Sequence, residues 1–176
     1  MFEAFSAEAV KIRRQLPGMD RAALCAVAVS LGRTRGVLDA LEASLASAVD
    51  RLGDDGPGAS TVLRSSSRCS QREADRRAKR ATGLAVMPNT TAALRSGRIT
   101  AEHADALVKA AEETSAEAVD RSELVGHAAS RPADLAAREA RDWTRRHRDD
   151  HETQSRHERQ RDRRRLFIFR GDGDMV

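Results

Sequence analysis

Apolar residues recur at helical spacing from the start of this chain. Phe5, Ala9, Ile12 and Leu16 stand three or four apart and mark one face of a short helix, which the Pro17–Gly18 pair ends. Asp20 is placed to cap a second helix, predicted to run to about Leu52. Along it Leu24, Leu31, Leu38, Leu45 and Leu52 return every seventh residue, and Val27, Leu41 and Ala48 follow three of them at a distance of three. That is a heptad seam. It can pair two chains into a homodimer, or it can pack on the chain's own helices. Gly32 and Gly36 each cost such a helix about 1 kcal/mol relative to Ala. The flanking heptad positions show no complementary charges, and the balance tilts to an internal packing face.

Past a loop dense in Gly, Asp and Pro, "GDDGPG" (53–58), the pattern shortens. Val62 and Leu63 open a short helix. Ser70, with Glu73 three residues on, makes a capping box that opens another, so this stretch reads as helix, tight turn, helix. "MPNTTAALRSG" (87–97) holds a short helix with Pro88 near its start and Gly97 able to take the left-handed conformation at its end. Thr100 caps the next helix, which carries Leu107 and Val108. "SAEAVDRSELVGHAAS" (115–130) reads as one helix, and Pro132 starts the longest one, through Leu135, Ala136, Ala140 and Trp143. Beyond Trp143 no apolar face returns until Leu166, where "LFIF" reads as a strand and "RGDGD" as a turn.

The pattern therefore predicts an all-α fold of about seven helices, a multi-helix bundle with helix-turn-helix-like hairpins, a long charged helix and one C-terminal β-strand. The divisions expected are a helical domain over 1–143, a charged helical extension over 144–165 and the start of a β segment over 166–176. Composition agrees. The 176 residues are 40% hydrophobic but only 3% aromatic, with no Tyr and one Trp, so the core must be built from Ala, Leu and Val in closely packed helices. Cys25 and Cys69 stand far apart with no CxxC, which argues against a structural zinc and for a reduced, cytoplasmic protein. The apolar run at 22–31 is too short to span a bilayer, so no membrane association is expected.

A formal charge of +4 and a pI near 9.8 suit an anionic partner, either nucleic acid such as double-stranded DNA or an anionic membrane surface. Lys occurs only at Lys11, Lys79 and Lys109, so the surplus is Arg, a bias that GC-rich coding alone can produce. Placement therefore matters more than the total. Arg64, Arg68, Arg72, Arg76 and Arg80 lie four apart, joined by Arg77 and Lys79, while Ala74, Ala78 and Ala81 offer a small-residue side for docking. A DNA-reading helix needs that arrangement, one side packed and the other reaching phosphates. The candidate DNA-binding residues are Arg72, Arg76, Arg77, Lys79 and Arg80; the competing reading is a solvated Arg face. The hairpin at 90–113 is a rival, but Glu102, Asp105, Glu112 and Glu113 on its second helix would repel phosphate, which makes it scaffold. "RHERQRDRRR" (156–165) is either a phosphate-binding arm or a charged helix end.

No catalytic chemistry converges. His147 and His151 would share a helix face, with His157 nearby, yet their Arg-rich surroundings disfavour a cation. His103 and His127 read as structural, Trp143 as a core anchor, and Asp172 and Asp174 as turn residues. No GxSxG, HExxH, Walker-type or GxGxxG motif is present. The expectation is a chain with no cofactor, no metal and no catalytic residues of its own.

Taken together, "GASTVLRSSSRCSQREADRR", "TTAALRSGRITAEHADALV", a charged helix and the closing "RRRLFIFRGDGDMV" resemble the actinobacterial 13E12 repeat family, domain of unknown function 222. The likeness runs from about Leu24 to the end. Members of that family commonly continue into an HNH endonuclease module. The resemblance implies that this chain is the helical N-terminal part, which would position DNA for a nuclease lying beyond Val176. The HNH motif itself is absent: the one Asn, Asn89, lies upstream of His147, His151 and His157, so no nuclease residue carries over. At the tight turn before "CSQRE" the resemblance leads one to expect Gly, and Arg68 stands there instead.

Overall fold

A computed structural model of the chain describes residues 2–53 and 56–148. Among these residues the fold is entirely helical: α1 (Phe2–Gln15), a 3-10 turn (Leu16–Gly18), α2 (Arg21–Leu52), α3 (Ala59–Ser67), α4 (Gln71–Leu84), α5 (Pro88–Arg95), α6 (Ala101–Glu113), α7 (Ala116–Arg121), α8 (Leu124–Ala128) and α9 (133–148). The basic cluster at 156–165, the strand at 166–169, Asp172, Asp174, His151 and His157 lie outside the described residues.

Local chemistry sets most of the boundaries. The Asp20 carboxylate accepts the Ala23 N–H at 2.8 Å and opens α2, and the Ser70 hydroxyl accepts the Glu73 N–H at 3.2 Å and opens α4. At α6 the box is closed by histidine: Thr100 caps the helix, and the His103 ring accepts the Thr100 N–H at 3.2 Å. Gly53 and Gly97 take positive φ at helix ends. Arg68 does the same, at φ 50°, in the turn between α3 and α4. The left-handed turn therefore forms with a side chain that disfavours it by about 1 kcal/mol.

Two expectations are corrected. The segment 115–130 is two helices. Ser122 adopts an extended backbone, and its hydroxyl donates to the Val119 carbonyl at 2.7 Å while accepting the Leu124 N–H at 3.3 Å, so one residue ends α7 and starts α8. The heptad leucines of α2 are not an internal packing face either. The buried residues of α2 are Gly36, Ala40, Ala43 and Ala46. At about 100° per residue they lie roughly half a turn around the helix from Leu38, Leu41 and Leu45, which stay exposed.

Small residues control the packing. α4 is the centre of the body, set against α2, α3 and α6 through Ala74 and Ala81, with Ala78 partly covered. Ala supplies more than half of the buried apolar positions, as the aromatic-poor composition implied. Larger buried side chains, Met87, Leu94, Ile99 and Val119, fill the space between α5, α6 and α7. Where α2 crosses the end of α5 the two backbones nearly touch: a Cβ on Gly36 would sit 3.0 Å from the Ile99 carbonyl oxygen, and one on Gly97 would sit 2.6 Å from that of Arg33. Gly36, a cost to an isolated helix, is what permits this crossing. The buried Asp120 accepts hydrogen bonds from the Asn89 and Thr90 N–H groups, and α7 thereby caps the start of α5.

Candidate functional site

The basic helix α4 does not present its five candidates in one outward row. A spacing of four residues advances about 400° around a helix, so each step drifts by about 40°. Arg72 is exposed and forms no ion pair among the described residues. Arg76 is half exposed; it holds Glu73 at 2.7 Å and approaches Asp105 at 3.6 Å. Arg80, two steps round from Arg72, is only 4% exposed. Its Nε and Nη2 donate to the two carboxylate oxygens of Asp105 at 2.6 and 3.1 Å, a bidentate pair inside the α4–α6 contact. Arg77 turns the other way, donating to Glu73 at 2.8 Å and to Glu42 of α2 at 3.1 Å. Lys79 pairs with Glu112 of α6 at 2.7 Å.

Of Arg72, Arg76, Arg77, Lys79 and Arg80, four are thus already engaged by carboxylates of this chain, and one of those four is buried. Asp105 and Glu112, the acids that mark α6 as scaffold, are the groups that neutralise α4. The electrostatics follow. The hydrogen bond from Arg77, aided by Arg76, holds the Glu73 carboxyl below its ordinary value against a smaller desolvation effect. The same contacts raise Arg76 and Arg77. Asp39, beside this cluster on α2, is pushed up by burial, with Arg80 and Arg77 pulling the other way. Only one half of the expected capping box forms, because Glu73 turns to its arginines in place of the Ser70 N–H.

The other candidates resolve into structural roles. The His103 ring bridges Thr100 and the Arg131 carbonyl, which lies 2.9 Å from Nε2. His127 meets Glu139 at 2.6 Å. Trp143 packs against the core and stacks on His147 with ring centroids 4.4 Å apart. Among the described residues no group of His, Cys, Asp and Glu is placed to hold a metal, and no helix is long and apolar enough to cross a membrane. Cys25 and Cys69 are unpaired thiols.

What sequence reasoning underweighted is the outer side of α2. Leu24, Leu31, Leu38, Leu41, Leu45 and Leu52 are all exposed, Leu45 to 53% and Leu52 to 73%. They run the length of a continuous 32-residue helix whose opposite side is fixed to the body from Gly36 to Ala46. The signal was present in the alternation of a small-residue stripe with a leucine stripe. Small residues mark the tight contact, which leaves the leucines to face away. No family model, no curated protein and no solved structure matches the chain.

Proposed function

We propose that this chain is a non-catalytic helical self-association module that works through the leucine face of α2. One observation carries the reading: an unbroken apolar row lies along the outside of a helix whose body has buried its own apolar side chains. Exposed leucines at every seventh position suit another helix of the same repeat. Fully burying one leucine is worth about 1.5–3 kcal/mol, so several layers are enough for a stable pair. Sedimentation velocity over a concentration series tests the idea. The wild type should form dimers that dissociate on dilution, and a triple variant with Leu31, Leu38 and Leu45 each changed to Gln should stay monomeric with an unchanged helical spectrum. A wild-type monomer at every concentration would refute the reading.

A second reading, DNA contact, keeps support from one observation. The α3–turn–α4 hairpin forms a helix-turn-helix shape, and Arg68 and Arg72 at its outer corner are exposed and make no ion pair among the described residues. The resemblance to the 13E12 repeat family points the same way, toward positioning DNA for an HNH endonuclease module. In this reading the contact shifts from the whole α4 row to its N-terminal edge. Duplex affinity should fall steeply with salt and weaken on changing Arg68 and Arg72 to Ala. Lack of binding at low salt would exclude it. Replacing Arg80 in such a test would confuse lost contact with lost fold.

A further inference from the structure

We infer that the partner on the leucine face is a second copy of this chain, with the two α2 helices antiparallel and in the one register that places Arg35 against Glu42 of the other copy; this rests on the self-association reading above. With Leu24, Leu31, Leu38, Leu45 and Leu52 as the first core position of the heptad, the second is filled by Val27, Thr34, Leu41 and Ala48. The residues following that second position, which flank the seam on one side, are Ala28, Arg35, Glu42 and Val49. Between parallel chains these face Ser30, Val37 and Ser44, which carry no charge, and nothing fixes the pairing. Between antiparallel chains they face one another.

Antiparallel registers are related by shifts of one heptad, and charge separates them. In the register centred between Asp39 and Ala40, Leu38 meets Leu41 of the other copy, Leu45 meets Thr34, Leu31 meets Ala48 and Leu52 meets Val27. Large side chains oppose small or branched ones in every layer but the central pair. Arg35 then lies beside Glu42 of the other copy, and two-fold symmetry makes the contact twice. Shifting the register one heptad in one direction sets Arg35 against Arg35; shifting it the other way sets Glu42 against Glu42. Both neighbours are thus disfavoured by like charges next to the apolar layers. The groups stand ready. Arg35 is exposed with no ion pair among the described residues, and Glu42 gives only Oε2 to Arg77. The leucines of the face are exposed, because Gly36, Ala40, Ala43 and Ala46 hold α2 from its opposite side, while Val27 and Thr34 are half-buried.

Charge reversal tests the register. Arg35→Glu and Glu42→Arg should each weaken their own dimer on the order of tenfold, since each swaps two attractive contacts for two repulsive ones. Mixed one to one, the two variants should recover wild-type dimerisation, because every contact between unlike chains is again opposite in sign. A wild-type dimer that neither reversal weakens would overturn the register and leave the leucine reading standing. A monomeric wild type would overturn both. Glu42→Arg also removes a partner of Arg77, so a second measurement is independent of it. With Cys25→Ser and Cys69→Ser, spin labels at Ser30→Cys should lie about 30 Å apart in the antiparallel dimer, given 1.5 Å rise per residue and about 10 Å between axes. A separation of about 10 Å would mean parallel chains and would sink the proposal.

Discussion

The segment from α1 to α2 and the body from α3 to α9 handle apolar side chains in opposite ways. Of the thirteen large apolar residues left exposed among the described residues, eleven belong to residues 2–52, and the described part of the body contributes only Val86 and Leu135. Among the helices from α1 to α8, α1 packs chiefly on the 3-10 turn, whereas α4 touches three neighbours closely. The charges divide the other way. On the inner side of α4 acids and bases are matched across helices, Arg80 with Asp105 and Lys79 with Glu112. Arg33 and Arg35 on α2 have no such partner among the described residues. The contrast teaches that a basic helix in sequence need not be a basic surface, and that a heptad row need not be a core. In α2 the buried side is the one whose residues are small enough to pack closely.

The sharpest way to break this contrast is to remove one partner inside the body. Asp105→Ala leaves the buried Arg80 guanidinium uncompensated and should cost about 3–5 kcal/mol in urea unfolding. A loss under about 1 kcal/mol would mean that Arg80 escapes to solvent and that α4 can offer it to a ligand after all. A smaller effect of opposite sign is expected at the α3–α4 turn, where Arg68→Gly should stabilise the body by about 1 kcal/mol by relieving the left-handed backbone. The smallest effect belongs to α2. Leu45→Gln should move monomer stability by no more than about 0.5 kcal/mol at concentrations where association is absent, while measurably weakening association at higher ones. A large loss in the dilute monomer would show that the leucine row supports its own chain.

Features set by a few adjacent residues could be read in advance. Asp20, Ser70 and Thr100 cap helices because their side chains reach backbone groups three residues on, and the left-handed Gly97 follows from the same local geometry. The pairing of α4 could not be read. Asp105 is 25 residues from Arg80 and Glu42 is 35 from Arg77, and no spacing rule connects groups that meet only after the helices have packed. The 40° drift of the arginine row was calculable, yet the direction of burial had to be known before the drift could matter. Gly36 was misread for a similar reason. Its cost is local and visible, and its benefit, close approach to Gly97, is tertiary. The break at Ser122 was legible in hindsight: Ser followed by an acidic residue and an apolar run can begin a helix as readily as continue one.

The close crossing of α2 over the end of α5 makes a fulcrum. Beyond Arg33 and Gly36, where the two backbones bear on each other, the twelve residues from Arg21 to Gly32 extend about 18 Å as an unbroken rod. A load applied to the far end of that rod is delivered to the crossing as torque, and Gly97 has no side chain with which to cushion it.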